Sequence, residues 1–475
     1  MNKKYVYLFV VTISTIITSC KVPAIVQIQN TQALQPTFNN VKDTANTAAI
    51  RWNSYFKDPA LLALIDTALK NNYELLKTMQ NIKIASNGIQ RQQANLFPTV
   101  NGAIGLGLEK TGRYTASGAG NASTEILPGK EVPEPIGDMF YGFRASWEID
   151  VWGKLHNAKK AAVLKYLQSI EGRNFLITNL VAEVASAYYE LLALDNQLDI
   201  VKQAIDLQKS ELEVLKIQKE AAKATELGVK QFEALVYNSQ AQEFGILQNI
   251  TETENKINFL LGRFPQPVVR DKASFALPIA TNIQVGIPAQ LLQNRPDIKQ
   301  AELELQISKL DVQIARAEFL PSVGITGMLG LQGFKPKYVV PNIENLAFNL
   351  IGDLVAPLVN RNAIKAEFKT ASANQINALY EYQSTVLNAY IDVYNQMSNI
   401  SNLQKYYALK NNEAQTLAIS IDVAKDLFKS ARANYLEVLT VQRDALSARL
   451  ELVEAKKNQL LATTNIYKAL GGGWK

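Results

Sequence analysis

The chain has almost none of the residues on which most metal and hydrolytic sites are built: one cysteine and one histidine in 475 residues. That excludes a disulfide framework, a Cys/His metal cluster and a Ser-His or Cys-His pair of the usual kind. Counting leaves carboxylate chemistry open, but no polar groups converge in the sequence pattern, so neither enzyme activity, a metal nor a cofactor is expected. Charge of one sign is also scarce. The net charge is +6, and bases alternate with acids, as in Lys209-Ser210-Glu211 and Glu454-Ala455-Lys456, with no long basic run, which argues against a nucleic-acid partner. Long hydrophobic runs are missing too. The apolar stretch from Tyr5 to Ile17, about 13 residues, is too short to span a bilayer as a helix.

That stretch follows Lys3 and Lys4 and reads as an export signal, residues 1–19. Ile17-Thr18-Ser19-Cys20, where it ends, resembles the lipobox of bacterial lipoproteins, so Cys20 is expected to become the acylated first residue of the mature protein. Residues 20–50, rich in Gln, Asn, Thr and Ala, suit an extended lipidated tether. The remaining length exceeds the usual size of one compact domain.

Self-similarity divides it. IASNGIQRQQANLFPTV at 84–100 lies over ISKLDVQIARAEFLPSV at 307–323 with a constant shift of 223, pairing Ile84 with Ile307 and Pro98 with Pro321. A shift of 209 pairs Leu227 with Leu436, Val229 with Val438 and Gly262 with Gly471. The chain therefore reads as two structural repeats, 51–270 and 288–475, joined by a linker, 271–287. Each runs helix, two strands, long helical hairpin.

After each paired proline the apolar period changes from helical to alternating, the signal of a strand with two unlike faces. Val100, Ile104, Leu106 and Leu108 share one face, as do Met139, Tyr141, Phe143, Ala145, Trp147 and Ile149. The second half repeats this with Val323, Ile325, Leu329 and Leu331, then Leu346, Phe348, Leu350 and Leu354. Loops are expected over 110–138 and 333–344. Alternation alone fits a soluble four-stranded sheet as well. The export signal and the aromatic face, with Tyr141, Phe143, Trp147 and Phe348 toward lipid, favour an outer-membrane barrel. Four strands cannot close one. Two copies give eight strands and a filled interior, whereas three give twelve and room for a channel.

No proline interrupts about 154–222 or 361–430, which as single helices would each reach about 100 Å. Their antiparallel returns are expected over 226–261 and 435–470. In 298–319, Ile298, Ala301, Leu305, Ser308, Val312, Ala315 and Phe319 form one heptad stripe, and Leu303, Ile307, Leu310, Ile314 and Ala317 a second, about 140° round the helix. A helix with two seams has a neighbour on each side, as in a wall of helices or a large solid bundle.

Specific motifs then accumulate. Trp52-Asn53-Ser54-Tyr55-Phe56-Lys57-Asp58-Pro59 looks like the opening helix of the TolC-like outer-membrane factor family. Trp147-Glu148-Ile149-Asp150-Val151-Trp152-Gly153-Lys154 resembles its strand-to-helix signature, and Arg295-Pro296-Asp297 with Ala315-Arg316-Ala317-Glu318-Phe319-Leu320-Pro321 is the most specific match. The resemblance covers nearly all the mature chain. It implies a mainly α protein with a membrane β part, assembling as a homotrimer into a 12-stranded β-barrel continued by a 12-helix periplasmic α-barrel. It also implies an exit channel of a tripartite efflux pump of the RND type, passively conducting drugs or other small solutes, with a periplasmic adaptor and an inner-membrane pump as partners. A conduit for type I protein secretion would use the same fold, and a rod-like coiled-coil surface lipoprotein would share the signal and the heptads.

Local chemistry explains several motifs without the family. Pro296 and Asp297 are an ordinary helix start, Gly153 relieves a turn from strand to helix, and His156 reads as a solvated helix residue. The family places its closed aperture at the turns of the long hairpins, here 222–227 and 431–436. Ala222 and Ala431 occupy the usual glycine positions, and Ala433 stands where an aspartate is common. Lys223, Glu226, Arg432 and Asn434 are the polar residues left there as gate candidates.

Overall fold

A computed structural model describes residues 23–24, 36–38, 45–276, 284–357, 359, 361–430 and 432–475. Cys20, the export signal and Ala431 lie outside the described residues. The fold is mainly helical. In the first half, Pro59–Asn71 (α1) and Tyr73–Ala94 (α2) lead into strands Thr99–Glu109 (β1) and Ile136–Ile149 (β2), then helices Lys154–Glu220 (α3) and Glu226–Leu260 (α4). In the second, Pro296–Ala317 (α5) leads into Ser322–Gly333 (β3) and Leu346–Val355 (β4), then Arg361–Lys429 (α6) and Tyr435–Ala469 (α7). α2 and α5 both have 22 residues, and α4 and α7 both have 35.

Two compact units cut across these halves: one is built on Lys83–Leu167 and Leu303–Leu379, the other on Asn30–Ile82, Gln168–Glu302 and Tyr380–Lys475. The first holds an antiparallel four-stranded sheet in the order β1-β2-β3-β4. Its register sets Ile104 beside Tyr141, Tyr141 beside Leu331, and Leu331 beside Leu346. A row of glycine, Phe143, Leu329 and Phe348 lies next to it, so the alternating apolar sets of all four strands share one face. The loop over 110–138 is shorter than expected. It holds a helix, Ala116–Ser123, capped by Thr115, and a small hairpin, Glu125–Leu127 with Lys130–Glu131, and β2 starts at Ile136. Gly129, at φ +74°, makes the tight turn of that hairpin, which is the local signal for it.

The second unit carries the largest core. Leu61, Ile65, Val184, Tyr188, Leu191 and Ile257 are wholly or almost wholly buried where α1 and α4 meet α3. α3 has an apolar window long enough by composition to cross a bilayer, but 56% of that window is buried inside the protein. The stretch expected as an extended tether is docked in part. Phe38 is 0% exposed and stacks on Tyr390 at 5.1 Å, and Asn46 bridges Val285. The linker is docked as well, with Phe275 buried in the 3-10 turn Lys272–Ala276.

The α5 stripes behave as seams. Ile298 shares a buried cluster with Ala389 and Val393, Leu305 with Ala378 and Leu379, and Val312, Ala315 and Phe319 with Phe368, so α6 lines the first seam. In the second stripe Ile307 and Ala317 are buried, and α3 reaches α5 through polar residues outside both stripes, Asn157 donating to Gln313 at 3.2 Å and Lys154 lying 3.5 Å from Glu318.

Candidate functional site

Three places bring the sequence motifs together. The first is the apolar sheet face, which covers nothing. Ile104 is 77% exposed, Phe348 75% and Leu350 79%, and Tyr141 and Phe143 are similarly bare. At about 25 cal/mol per Å² of apolar surface, so wide a face is costly in water and gains in lipid. Trp147 lies on the same face, with its indole N–H donating to the Leu96 carbonyl at 3.0 Å. The opposite face carries Asn101, Arg144, Ser146, Thr326, Asn349 and Asp353. β1 and β4 each present one edge that pairs with no strand among the described residues.

The second place is the turn after β2. Gly153 takes φ +74°, a left-handed conformation that a side chain disfavours, and lets the chain enter α3. Asp150 accepts from the backbone N–H groups of Leu155 at 3.0 Å and His156 at 2.8 Å, so it satisfies donors that the helix start leaves free. His156 is exposed as expected, but its Nδ1 lies 2.5 Å from Asp150, a partner its position in the helix does not reveal. Lys154 pairs with Glu148 at 2.6 Å, and the Trp152 indole donates to the carbonyl of Pro321 at 2.7 Å. The Trp-Glu-x-Asp-x-Trp-Gly-Lys motif is thus a set of pins tying the β2–α3 junction to the start of β3.

Arg295, Pro296 and Asp297 make the third. Pro296 opens α5, and Arg295 forks onto Asp297, Nε to Oδ1 at 3.1 Å and Nη2 to Oδ2 at 2.6 Å. Nη1 donates to the Ala469 carbonyl at 3.1 Å and to Asp392 at 3.4 Å, joining α5, α6 and the end of α7. Burial works against the guanidinium charge, but the pairs with Asp297 and Asp392 outweigh it and hold the group above its ordinary range. The geometry is that of a structural clamp. The Gly471–Gly473 run lies against it: a Cβ at Gly471, which has φ +85°, would sit 2.6 Å from the Asn294 carbonyl.

At the hairpin tips, Ala222 adopts φ +55°, the left-handed conformation for which glycine is the usual choice, and the Lys223 N–H closes the turn onto the Gln218 carbonyl at 2.8 Å. Glu226 pairs with Lys219 at 2.5 Å, a contact that lowers its carboxyl below the ordinary range. Asn434 is engaged as the cap of α7, its side chain accepting from the Glu437 N–H at 3.1 Å, as Thr225 caps α4. Lys223 and Arg432 have exposed side chains. The two tips pack on each other, because Gly228 leaves room for the Tyr435 ring and Val229 and Phe232 share a cluster with Phe428 and Leu439.

Two buried polar links escape sequence reasoning. Tyr188 donates to Asp58 at 2.6 Å, and burial followed by that bond pushes its phenol up. Asp58 before Pro59 carries a readable capping signal, whereas a tyrosine inside a 67-residue helix carries none. Arg270, in the linker approach, pairs with Asp195 and Glu254, each at 2.5 Å.

The family model described as "Outer membrane efflux protein" matches residues 64–263 and 287–472. The pyoverdine export outer membrane protein OpmQ of Pseudomonas putida is 28% identical over 90% of this chain and 88% of its own. The toluene efflux pump outer membrane protein TtgI of Pseudomonas putida is 25% identical over the same shares. Among solved structures, the open state of the Neisseria gonorrhoeae MtrE outer membrane channel superposes with a TM-score of 0.80 at 22% identity, covering 95% of this chain and 98% of that one. The exposed apolar sheet, the long helical hairpins and the family match over most of the length agree, and the chain belongs to the outer membrane efflux protein family, as an efflux channel of the outer membrane.

Proposed function

We propose that three copies of the chain close one twelve-stranded barrel in the outer membrane, continued by a twelve-helix periplasmic tube, and that the two repeats, 51–270 and 288–475, each supply two strands and one hairpin. The observation that carries this reading is the sheet itself: an apolar face open to the surroundings and two unpaired edges. In lipid each unpaired backbone group costs several kcal/mol, so the edge of β4 must meet the edge of β1 in a neighbour. Twelve strands, unlike eight, leave a passage. Cys20 carries the lipid, and the channel receives small solutes from an inner-membrane pump through a periplasmic adaptor. The pyoverdine and toluene roles of the two relatives favour small-molecule efflux over protein secretion as the cargo. The tips around Lys223, Glu226, Arg432 and Asn434 form the periplasmic aperture.

Native mass measurement of the full chain purified in mild detergent tests assembly and anchor together. The expected mass is three chains starting at Cys20, each with an acyl modification that Cys20→Ser lacks. A stable monomer with an intact sheet would overturn the shared barrel, and an unmodified or differently processed N-terminus would overturn the anchor.

A further inference from the structure

Toward their turns, the two long hairpins are held together by two separate apolar clusters. Farther from the turns, Val201 and Ile205 of α3 pack with Ile246 of α4 and Leu446 of α7. Nearer the turns, Leu212 of α3 packs with Phe232 and Val236 of α4, Phe428 of α6 and Leu439 of α7. The level between them is polar on each helix that the two clusters share. Gln208 falls between Ile205 and Leu212, Ser239 between Val236 and Ile246, and Gln442 between Leu439 and Leu446. Along α3 one heptad, about 10 Å of helix, separates the clusters.

These three side chains are 2%, 0% and 5% exposed, yet Gln208 Oε1, Ser239 Oγ and Gln442 Oε1 have no hydrogen-bond partner among the described residues. Glu211 links the helices at this level, accepting from the Gln442 amide and pairing with Lys425 of α6 at 2.7 Å. A buried oxygen without a protein partner either draws in water or forfeits its hydration, so packing here is weaker than in the apolar clusters on either side. Helices bend where water enters the backbone ladder. The cluster nearer the turns takes residues from both hairpins, so their ends are held to each other. That packing favours joint movement over sliding of one hairpin past the other.

We propose that the layer of Gln208, Ser239 and Gln442 is a hinge, about which the hairpin ends beyond it swing as one body. The proposal rests on the channel reading above, in which these ends border the periplasmic aperture. It puts the flexible point well behind the turns themselves. About 14 residues, roughly 21 Å of helix, separate Gln208 from the turn at Ala222, so a tilt of about 10° carries that turn roughly 4 Å. The ends keep their own packing while the aperture widens.

Hydrogen exchange of the full chain in lipid nanodiscs tests the hinge. Backbone amides at 206–211, 239–243 and 440–445 should exchange on the order of tenfold faster than those of the apolar clusters on both sides. Ser239→Ala, which removes an unpartnered oxygen at almost constant volume, should narrow the difference, and Gln208→Leu with Gln442→Leu should erase it. Equal protection across all three levels overturns the hinge. Exchange of 212–236 as fast as the layer overturns it too, because the ends would then melt and not swing. Planar-bilayer recording reads the consequence for opening. The double leucine variant should open about tenfold less often than wild type. Gly228 and Tyr435 touch across the two hairpins, and the chain has no cysteine besides Cys20. Gly228→Cys with Tyr435→Cys, joined by a short thiol cross-linker, should open within about twofold of its unlinked form. Closure by the cross-link would mean that one hairpin slides past the other, and it overturns movement as one body. A wild type that forms no channel overturns the channel reading instead, and the exchange pattern alone then decides the hinge.

Discussion

The sheet and the α5 seam use the same kinds of side chain in opposite ways. On β4 the apolar residues alternate and stand bare, with Phe348 75% and Leu350 79% exposed, whereas on α5 they recur at heptad spacing and vanish, with Ile298 and Val312 at 1%. Two periods in one chain thus address two solvents. The helical seam is stabilised wherever its partners are, because α6 supplies its burial. The sheet face is stabilised only by something outside the chain, and for a protein of this family that is the lipid of the outer membrane. Mutations in the helical region should therefore act in detergent and bilayer alike, while mutations on the strand face should act through the membrane.

The largest effect is expected at Arg295, on the helical side of this contrast. Arg295→Ala leaves Asp297 and the Ala469 carbonyl without their donor, and breaking a buried pair this way typically costs about 3–5 kcal/mol. Asp392 stays half in water, so the lower end applies. Thermal unfolding of the purified protein should shift by a similar amount in detergent and in reconstituted vesicles. A shift seen only in vesicles would break the contrast.

Tyr141→Asp should do the reverse. A charge on the lipid face costs on the order of 1–4 kcal/mol depending on depth, and it costs little where the face meets water. Insertion into vesicles, followed by protection of the strands from protease, should fall, while the helical unfolding transition stays where it was. Equal insertion of wild type and variant would mean that Tyr141 does not meet lipid.

The same contrast decides how much was legible. The long helices were expected over 154–222 and 361–430 and run Lys154–Glu220 and Arg361–Lys429, because proline-free stretches with a capping residue at the return leave little freedom in their ends. The apolar strand face was legible because a period of two fixes a face, and the register then aligned four such faces. What depends on a single residue was not. Phe38 in a polar stretch has no period to announce its docking, and Phe140 contradicts the alternation around it. Tyr188 and Asp58 meet across 130 positions of sequence, and the fork of Arg295 onto Asp297 could be guessed, but its reach to Ala469 could not.

The smallest effect on stability, and the one that bears on the passage itself, is expected at the tips. Arg432 is exposed, so reversing it should leave the unfolding transition within about 0.5 kcal/mol of wild type. Its place is less ordinary. The Arg432 N–H closes the turn onto the Leu427 carbonyl at 2.9 Å, Asn434 two residues on is tied up as a cap, and Glu226 of the other tip is already paired with Lys219. Lys223 and Arg432 are therefore the charges at the tips left to meet whatever lies across the aperture. In a trimer, Arg432→Glu sets three carboxylates near one axis, and their repulsion favours loosening of the turns. Planar-bilayer conductance should rise above that of the wild type, and the difference should shrink as salt is raised, since repulsion between exposed charges is screened. Unchanged conductance at low salt, with trimer and insertion intact, would place Arg432 on the outer side of the tips and the closed constriction elsewhere along the helices.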